Sequence, residues 1–131
     1  MAYPVTVEWR EDSEPVAVTC SEDLSRLLDG LASGFESAQP SLVVIYNEGG
    51  ALTVGVGASV STLNHVPPSN DPPYMISLGN ADEEGVIDFY LAGHHTQLLM
   101  RHTIPNGLAR AAALEYAGSG KLPDSVAWEE C

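Results

Sequence analysis

The apolar residues of this chain follow two different periods. From Tyr3 to Trp9, and again from Pro15 to Thr19, apolar and polar positions alternate, with the acidic turn Arg10-Glu11-Asp12-Ser13-Glu14 between them. That pattern predicts a β-hairpin with a strongly negative tip. The period then lengthens. Leu24, Leu27, Leu28, Leu31 and Phe35 follow i, i+3, i+4, i+7 and i+11, which predicts a helix with one apolar stripe. Thr19 and Ser21 supply hydroxyl caps at its start, Glu22 and Asp23 suit its first turn, and Gly34 marks its end. Glu22, Ser25, Arg26 and Asp29 form its solvent face.

After Pro40 the unbroken apolar run Leu42-Val43-Val44-Ile45-Tyr46 predicts a central strand covered on at least one side. Asn47-Glu48-Gly49-Gly50 supplies a turn, and Leu52 to Gly57 alternates again. Gly55 and Gly57 within that strand point either to a bulge or to something packed closely over the sheet. A further strand ends at Val66, where the loop Pro67 to Pro73 begins. Tyr74 to Leu78 and Val86 to Leu91 are read as strands around an acidic loop, Gly79 to Gly85, and Gly93 opens a turn into His94 to Arg101. An Ala-rich helix runs from about Leu108 to Tyr116, with Asn106 as its candidate cap. Gly118 and Gly120 can close it, Pro123 prevents its resumption, and Val126 to Glu129 returns to the sheet with Trp128 in the core. Strands bracketed by two helices imply an α+β fold. The expected architecture is a mostly antiparallel sheet of about six strands with two helices packed on one face, in a single domain over residues 1–131.

Composition narrows the function classes. With 44% apolar residues and no run near the roughly 20 needed to span a bilayer, the chain reads as neither a membrane protein nor a disordered tail. Its first residues lack the basic start and apolar stretch of a secretory signal, so a cytoplasmic location is expected. Eighteen acids against five Lys and Arg give a net charge of -13 and no basic patch, which argues against direct nucleic-acid binding. The same surplus would steer a basic protein partner, or serve solely as a solubility surface. Cys20 and Cys131 have neither the number nor the spacing of a disulfide scaffold or zinc site, and are read as free thiols.

No motif calls for catalysis. His94 and His95 are adjacent and on a strand would point to opposite faces, and neither His65 nor His102 completes a ligand-like spacing. Gly34 to Ser37 and Gly118 to Gly120 do not form a nucleophile elbow. The run Gly49 to Gly57 lacks the Gly-Lys-Ser/Thr of a phosphate loop and leads into a strand. Catalytic residues, metal and cofactor are therefore all expected to be none.

Several short motifs in the last third of the chain belong together. Tyr90-Leu91-Ala92-Gly93-His94-His95-Thr96-Gln97, Ile104-Pro105, the Ala-rich helix, Gly120-Lys121-Leu122-Pro123 and Val126-Ala127-Trp128-Glu129 resemble immunity protein family one of bacterial polymorphic toxin systems, which includes antidotes to deaminase toxins. The resemblance is clearest over roughly the last 45 residues and fits the order of elements upstream. It implies a non-catalytic protein that covers the active site or substrate surface of a cognate toxin, a basic domain directed at nucleic acid. The acids that would meet such a partner are Glu11, Asp12 and Glu14 on the first hairpin and Asp82, Glu83 and Glu84 on the later loop. Two other readings stand beside it. One is a solitary relative serving as an accessory or regulatory protein of a biosynthetic pathway. The other is a small enzyme with a pocket between the sheet and the Pro67 to Pro73 loop, using Tyr74, His65 or His95.

Overall fold

The computed structural model describes residues 3–9, 14–34, 40–91 and 94–130. The first alternation becomes β1 (Val5–Glu8), antiparallel to β2 (Val16–Val18) with Val5 opposite Val18. The hairpin forms as its pattern predicts, although residues 10–13 of its turn lie outside the described residues. The first helix, α1 (Ser21–Gly34), buries Leu24 and Leu28, and Leu27 and Leu31 pack beside them; Phe35 lies outside the described residues.

Next come β3 (Ser41–Asn47), β4 (Gly50–Val56), β5 (Val60–Ser61), β6 (Leu63–Val66), β7 (Met75–Leu78), β8 (Val86–Leu91) and β9 (His94–Leu99). A short 3-10 turn (Met100–His102) leads to β10 (Ile104–Pro105), α2 (Asn106–Ser119) and β11 (Ala127–Glu130). Among the described residues nine strands share one sheet, in the order β11-β7-β6-β4-β3-β1-β2, with β8 branching from β3 and carrying β9. All its pairings are antiparallel except a parallel bridge between Ser41 and Tyr90. The remaining two strands, β5 and β10, pair with each other. The α+β class and the antiparallel sheet are as expected, and the sheet is larger than six strands. Its least legible strand, β9, opens with the polar run His94-His95-Thr96-Gln97, and the separate pair β5 and β10 has only two residues in each strand.

Both helices lie over the same face of the sheet. Residues in register share a face, so Val7, Ile45 and Leu52 line up on one side, as do Val43, Val54 and Leu63. Against them pack Leu24 and Leu28 of α1 and the stripe Ala109, Ala112, Ala113, Tyr116 and Ala117 of α2. Alanine brings the α2 backbone close to the strands and loses no side-chain entropy on burial. On the opposite face, Phe89 of β8 is fully buried over Gly55, where an added Cβ would lie 2.7 Å from the ring. The glycine thus marks close packing over the sheet. None of the described helices is long and apolar enough to cross a membrane.

The end of α2 is clamped to the β3–β4 turn. Gly120 adopts the left-handed conformation at φ 74° and donates its N–H to the Tyr116 carbonyl at 2.7 Å. The Asn47 amide donates to that same carbonyl at 3.1 Å and accepts from the Gly49 N–H at 2.8 Å. His65 Nε2 donates to the Gly49 carbonyl at 2.8 Å, and its ring meets Tyr116 edge-on with centroids 5.5 Å apart. The start of α2 corrects the expected cap. Pro105, at φ -58°, occupies the cap position, while Asn106 is already helical and its amide donates to the Ala58 carbonyl at 2.9 Å. Beyond the helix, β11 returns antiparallel to β7 with Trp128 opposite Ser77. The Trp128 ring packs against the core and its Nε1 donates to the Pro123 carbonyl at 3.0 Å.

Candidate functional site

The acidic loop is held in one shape by its own backbone and by the 3-10 turn. The Asn80 side chain accepts the Asp82 N–H at 3.1 Å, its carbonyl accepts the Glu83 N–H at 3.0 Å, and Asp82, Glu83 and Glu84 are left exposed. Gly79 N–H donates to the Arg101 carbonyl at 2.9 Å and Met100 N–H to the Gly85 carbonyl at 3.0 Å, so both ends of the loop are fastened. Arg101 is itself committed. Its Nη2 reaches both carboxylate oxygens of Glu129 on β11, at 2.8 and 3.0 Å, and His102 Nε2 adds a third contact at 3.0 Å. Arg26 and Arg110 are engaged with Asp23 and Asp29 on the helices, away from the loop. The loop's negative charge therefore has no cation set aside to neutralise it among these arginines.

Beside this loop stands the β8–β9 hairpin. Val86 lies opposite Leu99, and the two are 50% and 47% exposed, an apolar pair in water two residues past Glu84. Alternation puts Asp88, Tyr90, His95 and Gln97 on the same face. His95 Nε2 meets Asp88 Oδ1 at 2.8 Å, and its ring tilts against Tyr90 with centroids 5.5 Å apart. Both partners are about half exposed, so this pair contributes at most about 1 kcal/mol. Apolar centre and acidic rim are the ordinary anatomy of a protein-docking surface.

Of the acids singled out in the sequence, Asp82, Glu83 and Glu84 are brought together on this surface. Glu14 is exposed but precedes β2, the strand at one end of the sheet order, whereas the loop leaves β7 near the other end. Glu11 and Asp12 lie outside the described residues. Exposure of Val86 and Leu99 does not follow from reading Val86 to Leu91 as a strand, in which only Phe89 is fully buried.

The enzyme reading loses its residues. A cavity of about 310 Å³ does lie by the Pro67 loop, lined by Tyr46, Ala51, Val66, Pro67 and Asn70 among others, but Tyr74, His65 and His95 do not line it. His65 faces the helices and is spent on Gly49, the Tyr74 hydroxyl donates to the Asn70 carbonyl at 2.7 Å, and His95 sits out on the hairpin with Asp88. A second cavity of about 220 Å³ opens between the helices and β4. Its polar groups already bond within the fold: Ser61 to the Gly55 carbonyl, Asn106 to Ala58, and Arg110 to Asp29. Among the described residues no three His, Cys, Asp or Glu side chains gather as a metal would require.

A family model described as Immunity protein Imm1 matches residues 12–130. The chain belongs to the Imm1 immunity protein family. No curated protein matches the chain in sequence. The Imm1 match spans the acidic loop, the β8–β9 hairpin and the C-terminal strand, so this surface falls inside the family's extent. The residues that carry the resemblance in the last third mostly hold the fold. Ile104-Pro105 forms β10, Gly120 ends α2, and Trp128 anchors β11.

Proposed function

We propose that this Imm1 protein neutralises a cognate bacterial toxin by binding it one to one, without catalysis, and covers the toxin's active site or substrate surface. The family match over residues 12–130 carries the reading. The toxin is a basic, nucleic-acid-directed domain such as a deaminase, because a surface built for phosphates is complementary to a protein of net charge -13. Asp82, Glu83 and Glu84 are its main electrostatic contact, with Glu11, Asp12 and Glu14 contributing from the first hairpin. Val86 and Leu99 supply the desolvated centre that charge alone lacks. The reading places the protein in the cytoplasm, where such a toxin meets its substrate.

The test is an inhibition titration. Toxin domains encoded beside this chain, or captured by a tagged copy from the native host, are purified and assayed alone and with increasing amounts of the protein. Activity that falls to background at one equivalent supports neutralisation. Toxin domains that stay fully active, with a small metabolite co-purifying, would move the assignment to an accessory protein of a biosynthetic pathway.

A further inference from the structure

Among the described strands, β9 is bonded on one edge only, by β8. The Met100 N–H to Gly85 carbonyl bond sets the phase of that ladder, because bonded and non-bonded pairs alternate in an antiparallel pairing. With Val86 opposite Leu99, the bonded pairs fall at Ile87 with Leu98, Phe89 with Thr96, and Leu91 with His94. The backbone groups of His95, Gln97 and Leu99 therefore point away from β8. No other described strand occupies that side.

We propose that this edge takes up an extended, basic strand of the cognate toxin, which continues the sheet past β9; the inference rests on the toxin-neutralising reading. Natural sheets guard their edges with Lys, Pro, bulges or brevity. The segment His94 to Leu99 has no Lys, Arg, Pro or Gly, and with six residues it is longer than the other open edges, β2 with three and β11 with four. β11 also carries Glu129 and Glu130, with Glu129 already held by Arg101. At about 3.4 Å per residue β9 offers roughly 20 Å of template, enough for a strand of five or six residues.

The surroundings say what that strand must look like. Backbone bonds would supply affinity and alternate side chains would supply selectivity, as in other strand additions. One side chain beside Leu99 would lie over the exposed Val86–Leu99 pair and is apolar. Its neighbours face Asp88 and the fastened loop bearing Asp82, Glu83 and Glu84, which favours Lys or Arg. A second copy of this chain fits less well, since it would bring another net charge of -13 to the same contact.

The deciding variant is Gln97→Pro. Proline at 97 deletes an outward N–H and fills the space of the incoming strand, yet leaves the bonds of Leu98 and Thr96 to β8 in place. Gln97→Ala is the companion that alters the side chain alone. Binding to the toxin domain identified in the inhibition titration is measured by calorimetry, alongside thermal melts and sedimentation of the free protein. Gln97→Pro is expected to weaken binding at least tenfold while its melt stays within a few degrees of the parent, and Gln97→Ala to remain within about threefold. If Gln97→Pro folds and inhibits like the parent, the toxin docks elsewhere and the strand inference fails while neutralisation stands. Should Gln97→Pro fail to fold, amide hydrogen exchange of the parent complex decides instead: slowed exchange at His95, Gln97 and Leu99 supports the inference, and unchanged exchange there overturns it. A parent dimer that Gln97→Pro abolishes would give the edge to a second copy, also overturning it. If no toxin domain is inhibited at all, neutralisation and strand addition fall together.

Discussion

Gly55 is where the β8–β9 hairpin is fastened to the rest of the sheet, and Gly55→Ala tests that fastening. A Cβ there would lie 2.7 Å from both Cε1 and Cζ of Phe89, well inside the 3.5–4.0 Å at which carbon atoms rest in contact. The ring is fully buried and has no solvent to swing into, so ring or strand must give by roughly 1 Å. Overpacking of this kind costs about 1–3 kcal/mol, and the stiffer unfolded chain offsets about 0.4–1 kcal/mol of it. The net loss is about 1–2 kcal/mol, or a fall in Tm of about 3–8 °C at this length. Urea unfolding of Gly55→Ala, Phe89→Leu and the double variant measures the contact directly. Phe89→Leu opens space at the ring position, so Gly55→Ala should cost close to nothing in that background. Two single effects that add to within about 0.5 kcal/mol would refute the claimed contact.

Three further outcomes are expected. Reversing the charges of Asp82, Glu83 and Glu84 to Lys should slow association with the toxin about tenfold at low salt and flatten its salt dependence, as stopped-flow mixing would show; an unchanged on-rate assigns the docking elsewhere. The Tyr116 hydroxyl is fully buried without a hydrogen-bond partner among the described residues, and burial raises its pKa above 10.0. The folded chain thus keeps a proton that the unfolded chain loses, so stability is intact below pH 10 and falls above it by about 1.4 kcal/mol per pH unit. Tyr116→Phe should reduce that slope, leaving what Tyr3 and Tyr46 add, whose pKa values burial also raises, and be as stable as the parent, or more so, at pH 7; urea melts at pH 8, 10 and 11 check both. Arg101→Lys loses the two-oxygen grip on Glu129 and should cost about 1 kcal/mol in thermal melts, as a single ammonium does not replace the fork.

The parts of the fold that were legible are those where one physical signal dominates. Leu24, Leu28 and their neighbours in α1 repeat at the helical period, and the run Leu42 to Ile45 needs cover, so helix and central strand follow from burial alone. Gly120 and Pro123 foretold the end of α2 because backbone conformation is written locally. The β9 strand was hidden, since His94-His95-Thr96-Gln97 has neither apolar alternation nor a β-branched run, and it exists because β8 offers it a ladder. The candidate site was half legible. Charge marked Asp82 to Glu84, but the exposure of Val86 and Leu99 depends on what the sheet leaves uncovered, and no local pattern encodes that. An absence of Lys, Arg and Pro in residues 94–99 was the available signal.

The clamp between Asn47, Gly49, Tyr116 and Gly120 has an evolutionary consequence. A Cβ on Gly49 would overlap the Gly120 backbone, and Gly120 needs the left-handed conformation, so drift at either position is blocked by its partner far along the chain. Asn47 joins the pair across 69 residues with a single amide that serves turn and helix together. Relatives that keep this junction should therefore hold Asn47, Gly49 and Gly120 fixed together, so that the three positions change as one unit or not at all.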